Sequence, residues 1–241
     1  VNFMIIHGDV AFIILATTLV LIMTPGLAFF YGGLVERKNA LTIMFQIFIS
    51  IGIVTLLWVF GGFSLVFGDD IGGVIGNPLQ YFAFKDITYM INLNYSNNIP
   101  FLMFFMYQLM FAIITAPLMT GAFANRLTIS GWIKILILWM IVIYFPVAHW
   151  VWGGGFLAQL GAADFAGGIV VHASAGLAAL ASVFVVGKRK DMSASAVEPH
   201  NITYVALGTG LLWFGWFGFN AGGAMGATGL ASTAFVNTDI T

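Results

Sequence analysis

Two histidines stand inside long apolar stretches of this sequence: His172, about two turns into one stretch, and His149, near the end of the stretch before it. An uncharged imidazole carries one donor and one acceptor, and desolvation favours that uncharged form. His172 could therefore hold a neutral polar solute, or equally be a structural residue bonded to a neighbouring helix. His149, close to Pro146, reads as structural, and His7 and His200 read as loop residues. Phe111, Trp152 and Phe219 could line a lumen, where an aromatic face attracts a small cation by about 0.5 to 2 kcal/mol. With 24 Phe and seven Trp in the chain, periodicity alone does not select these three over ordinary packing residues. Asp164, just before Phe165-Ala166-Gly167, can cap the free N–H groups of the helix it opens.

The missing chemistry is equally informative. The membrane-depth portions of the apolar stretches hold no Asp, Glu, Lys or Arg, so a charged solute would meet no counter-ion there. Cysteine is absent, which removes thiol nucleophiles, Cys-ligated zinc and iron–sulfur clusters. No nucleophile has a positioned base and no metal shell is in view, so we expect neither an enzyme nor a metal site. No cofactor is expected either, since the two histidines differ in depth and would not share a haem.

The elements that must position these residues are set by composition. Hydrophobic residues make up 61% of the chain and charged residues 7%, a balance that suits lipid rather than water. Eight Lys/Arg against nine Asp/Glu leave no nucleic-acid footprint. About 20 apolar residues span a bilayer as a helix, and such runs predict helices near 10–34, 41–67, 100–124, 132–150, 166–187 and 202–222, with a seventh starting near Thr228. The first is too long for a signal peptide and reads as a retained helix. The expected fold class is an all-α polytopic membrane protein forming a single membrane domain over 1–241, the first part of a longer one. If the helices alternate in direction, Arg37, Lys38, Arg126, Lys134, Lys188, Arg189 and Lys190 share one side, which places that side in the cytoplasm and the N-terminus outside. Lys85 sits in the longest loop, 68–99. The glycosylation pattern at Asn94-Tyr95-Ser96 reads as chance, because Asn201-Ile202-Thr203 matches on the other side. The stretch HASAGLAALAS, His172 to Ser182, has so little bulk that it predicts a helix in the centre of a bundle.

Local motifs then become specific. DFAGGIVVHASAGLAAL (Asp164 to Leu180) closely resembles the signature of the ammonium transporter family, which includes the methylammonium permeases and the Rhesus proteins. TPGLAFFYGGLVERKN (Thr24 to Asn39), HWVWGGG (His149 to Gly155), EPHN (Glu198 to Asn201) and GWFGFNAGG (Gly215 to Gly223) resemble further family segments in the same order. The resemblance implies an eleven-helix bundle of two five-helix inverted repeats, assembled as a homotrimer with a pore in each subunit. It makes Phe111 and Phe219 the outer gate and Trp152 the wall of an ammonium recruitment site. It makes His172 the first of two pore histidines, the second lying beyond Thr241. Asp164 matches the family aspartate at the start of the fifth helix, and Gln108 fits either the vestibule or an interhelical hydrogen bond. One departure stands out: Gly223 falls where many members carry a serine that accepts a hydrogen bond from the recruited cation, a loss of about 1.5 to 3 kcal/mol unless water replaces it. The implied function is transport of ammonium, as ammonia with the proton relayed separately, across a cell (inner) membrane. The implied partners are ammonium, possible alternative methylammonium, and the lipid bilayer. The alternative is an ammonium sensor domain coupled to a cytoplasmic nitrogen-signalling partner or a fused kinase.

Overall fold

The computed structural model describes residues 4–189 and 198–241, so Lys190 lies outside the described residues. Six helices are long and apolar enough to cross a membrane: α1 (His7–Leu34), α2 (Arg37–Phe67), α3 (Phe101–Phe123), α4 (Ile129–Gln159), α5 (Gly168–Val186) and α6 (Ile202–Ala224). A shorter α7 (Gly229–Ile240) follows. A two-residue antiparallel hairpin, β1 (Asp70–Ile71) with β2 (Ile75–Gly76), folds the start of the long loop. The fold is an all-α polytopic membrane bundle.

Helix α3 reads FLMFFMYQLMFAIIT, apolar on every face, and such a helix belongs inside. Accordingly 78% of its spanning window is buried, the highest share of the six. Helices α1 and α6 run antiparallel in close contact. A Cβ at Gly208 would fall against the backbone of Phe30, so only glycine permits that approach. Helix α5 departs from expectation, since only 22% of its window is buried, the lowest share. Val170, Val171, Ser174 and Ala175 face the bundle, while Ala173, Gly176, Leu177 and Leu180 form an open face that no described helix covers. Small residues permit close packing but do not supply the partner.

Three of the spans contain π-helical turns, at Trp58–Gly62, Met140–Tyr144 and Gly168–Ala173. The last carries His172, and such turns rotate the side chains that follow relative to a regular helix. Helix α4 reaches beyond the expected 150, because the chain bends at Gly153 to Gly155 and makes one more turn at Phe156–Gln159. His7 opens α1 rather than lying in a loop. His200 does lie in a link, where its Nδ1 donates to the Val35 carbonyl at 2.8 Å.

The two ends of the bundle are fastened differently. At the basic end, the Arg126 guanidinium donates to the carbonyl oxygens of Gly187 and Ala122, tying the end of α5 to the α3–α4 link. Arg126 and Lys188 line one cavity there with Asn39, so these links share a side. At the loop end, Asp9 accepts from Asn98 Nδ2 at 2.6 Å and from the Ala227 N–H at 2.7 Å, joining α1 to the long loop and the α6–α7 link.

Candidate functional site

Two cavities lie in series along the bundle. Toward the loop end, a cavity of about 260 Å³ is lined by residues that include Gln108, Phe111, Trp152, Asp164 and Gly223. Deeper, an apolar cavity of about 580 Å³ is lined by residues that include Tyr31, His172, Trp216 and Phe219. Phe111 belongs to the first and Phe219 to the second, and their rings meet with centroids 4.3 Å apart, tilted by 40°. Both rings are buried, and the pair stands between the two cavities. Four rings follow one another across it: Trp152 to Phe111 at 5.7 Å, Phe111 to Phe219, then Phe219 to His172 at 5.9 Å.

Each ring is held from a different element. Tyr107, one turn before Phe111 on α3, donates its hydroxyl to the Phe219 carbonyl at 2.9 Å, which fixes the α6 backbone beside the ring pair. The Trp152 indole donates to the main-chain carbonyl of Asp164 at 2.8 Å, setting its plane against the start of α5. The Asp164 carboxylate accepts from four backbone N–H groups: Oδ1 from Gly167 and Gly168 at 2.6 and 2.8 Å, Oδ2 from Ile169 and Val170 at 2.8 and 2.9 Å. Those are the N–H groups a helix start leaves unpaired. Gln108 is buried at the cavity wall, and its side chain makes no hydrogen bond to another helix among the described residues.

His172 is not sealed in packing. Its ring borders the deep cavity and is open on one side, with Trp216 at 6.4 Å as well as Phe219. It is not the only titratable group there: Tyr31 and Asp239 line the same cavity. Asp239 reaches it because α7 folds back beside α6, where Asn220 Nδ2 donates to Thr238 Oγ1 at 3.0 Å.

His149 is fully buried away from both cavities. Its Nδ1 lies 2.7 Å from the Val66 carbonyl and its Nε2 lies 2.8 Å from Asp70 Oδ1. This pair rivets the end of α4, three residues before Trp152, to the hairpin. The His149 hydrogen bond holds the Asp70 carboxyl below its ordinary range, with help from the Gly73 N–H. A depressed carboxyl stabilises the fold above its unfolded pKa of about 4 and loses that contribution as pH falls through its folded value. The thermal midpoint of the native protein is therefore expected to drop more steeply on acidification below about pH 4 than that of Asp70→Asn; parallel slopes would contradict the rivet. In the same loop, burial pushes the Tyr95 phenol up, keeping it protonated as the donor to the Phe67 carbonyl.

Comparison with known proteins decides the family. The sequence profile of the Ammonium Transporter Family matches residues 11–241. The chain belongs to that family. An ammonium transporter of Aquifex aeolicus is 50% identical over 97% of this chain and 54% of its own length. The crystal structure of Candida albicans Mep2 superposes with a TM-score of 0.89 at 37% identity, covering 98% of this chain and 52% of that one. A structure described as a sensor Amt protein superposes with a TM-score of 0.84 at 31% identity, over 97% and 59% of the two chains. The chain thus spans about half the length of the relatives it matches. Against that family background, the Tyr107 bond to Phe219 and the Asp70 partner of His149 are contributions that no local motif announced. Each works through a contact between residues distant in sequence, or through main chain.

Proposed function

We propose that this chain is the first part of an ammonium transporter in which the cation is recruited beside Trp152, loses its proton at the Phe111–Phe219 pair, and crosses the deep cavity as ammonia. The observation that carries the reading is the order of the rings, with an aromatic vestibule, a buried double-phenylalanine closure and an apolar cavity bordered by an imidazole in series. A bare ammonium ion entering low dielectric without a counter-ion is penalised by several kcal/mol, about the scale that deprotonation avoids. In this reading the proton passes through His172 and a partner ring from residues beyond Thr241.

The open face of α5 is where the second half of the bundle packs, as the inverted repeat of the resemblance requires. The whole protein is a homotrimer in a cell (inner) membrane, with the basic end cytoplasmic and the N-terminus outside. Methylammonium serves as an alternative substrate. A second reading, an ammonium sensor, is favoured by the likeness to the sensor Amt protein. A kinase-like module after the last helix would select it.

The test is uptake of labelled methylammonium by the full-length protein in liposomes, with ammonium as competitor. Uptake should saturate and yield to ammonium. Trp152→Leu should raise the half-saturating concentration by roughly 2- to 30-fold, the equivalent of a lost cation–π contact. Uptake no greater than in protein-free liposomes, or indifferent to ammonium, would refute transport.

A further inference from the structure

We propose that the main-chain carbonyl oxygen of Phe165 accepts a hydrogen bond from the cation in the vestibule, and that Gly223 is the residue that lets it stand there. The inference rests on the vestibule being the recruitment site and names the acceptor that site uses.

Three observations converge on that oxygen. A Cβ at position 223 would lie 2.5 Å from Phe165 O and 3.3 Å from Phe165 Cε1, so the Phe165 backbone occupies the space a side chain would need. Serine at this position is therefore excluded unless Phe165 moves, and the missing hydroxyl does not leave a hole. Phe165 and Gly223 both line the vestibule together with Trp152 and Phe111.

The other acceptors at the start of α5 are already in use. The Asp164 carbonyl takes the Trp152 indole N–H at 2.8 Å, and both Asp164 carboxylate oxygens are committed to the start of α5. The Gly167 carbonyl takes the N–H groups of Val171 and His172 at 2.9 and 3.0 Å. No hydrogen bond among the described residues reaches Phe165 O. The hydroxyls of Tyr95 and Tyr107 spend their hydrogens on the carbonyls of Phe67 and Phe219.

The chemistry follows from the difference between the two acceptor types. A hydroxyl donates as well as accepts, whereas a carbonyl only accepts. Paired with aromatic faces, it selects a small cation that still carries N–H groups. The geometry also reverses the sign expected for restoring serine. If the site merely lacked a hydroxyl, Gly223→Ser would tighten it; if Phe165 O is the acceptor, Gly223→Ser displaces it and weakens the site.

The experiment is methylammonium uptake by the full-length protein, comparing native, Gly223→Ser, Gly223→Ala and a backbone variant in which lactic acid replaces Ala166. That ester leaves every side chain in place but weakens the Phe165 carbonyl as an acceptor. Both Gly223 variants should raise the half-saturating concentration roughly 10- to 100-fold, the loss of one bond to a charged group. The ester should raise it by about threefold or more, a fraction of that bond. Should the Gly223 variants fail to fold, the ester carries the test. A half-saturating concentration that falls in Gly223→Ser, or is unchanged in the ester, overturns the inference while leaving recruitment intact. Native protein that takes up no methylammonium sinks the recruitment reading and this inference together.

Discussion

Asp164→Ala is expected to strip the full-length protein of both its thermal stability and its uptake. The carboxylate holds four backbone N–H groups at the start of α5, and a hydrogen bond to a charged group contributes about 1.5 to 3 kcal/mol. Water reaches Gly168 and Ile169 and can replace part of that, but Gly167 and Val170 are buried. Even half of the nominal sum is comparable with the 5 to 15 kcal/mol by which domains are typically stable. The damage would not stay local: the Trp152 indole is anchored on the Asp164 carbonyl, and Phe165 O and His172 lie on the same segment. Asp164→Asn should be intermediate, because its single oxygen can keep one pair of N–H groups while its own NH₂ faces the other pair. Thermal unfolding and methylammonium uptake measured on the same preparations check this. A variant that keeps the native melting midpoint yet loses uptake would show that the carboxylate acts on the cation and not on the helix.

The membrane class and the number of spans were legible because lipid imposes them. Spanning helices need long apolar runs, and the basic links must share a side, as the Arg126–Lys188 cavity shows for the described part. Ends were less legible. Helix α4 continues to Gln159 because Gly153 to Gly155 bend the chain without stopping it, and α2 starts at Arg37 because a charged first turn is tolerated at the bilayer edge. The small-residue character of α5 spoke of close packing, but no described helix covers its open face.

The site was legible only through ordered motif resemblance. Nothing in the spacing of 24 Phe singles out Phe111 and Phe219, which are brought together from α3 and α6. The Tyr107 bond to Phe219 joins residues 112 apart, and the His149 bond to Asp70 joins residues 79 apart. Neither the π-helical turn that carries His172 nor the approach of Phe165 O to Gly223 leaves a signature in residue type. Both are properties of main chain, which motifs record only indirectly.

The central claim is that charge leaves the substrate at the phenylalanine pair and travels by way of an imidazole. His172 borders the apolar cavity immediately behind Phe219, where a proton given up at the gate needs a titratable acceptor. Tyr31 commits its hydroxyl to the Leu118 carbonyl at 2.9 Å, and Asp239 is exposed on α7. Neither shares the ring contact with the gate that His172 makes. Truncating the ring to a methyl group widens the cavity, so steric blockage does not confound the result. The direct measurement is the current evoked by methylammonium in liposomes holding equal amounts of full-length native protein or His172→Ala. Loss of a positioned proton-transfer group predicts a current lower by at least about tenfold in the variant. A current undiminished in His172→Ala would contradict the relay.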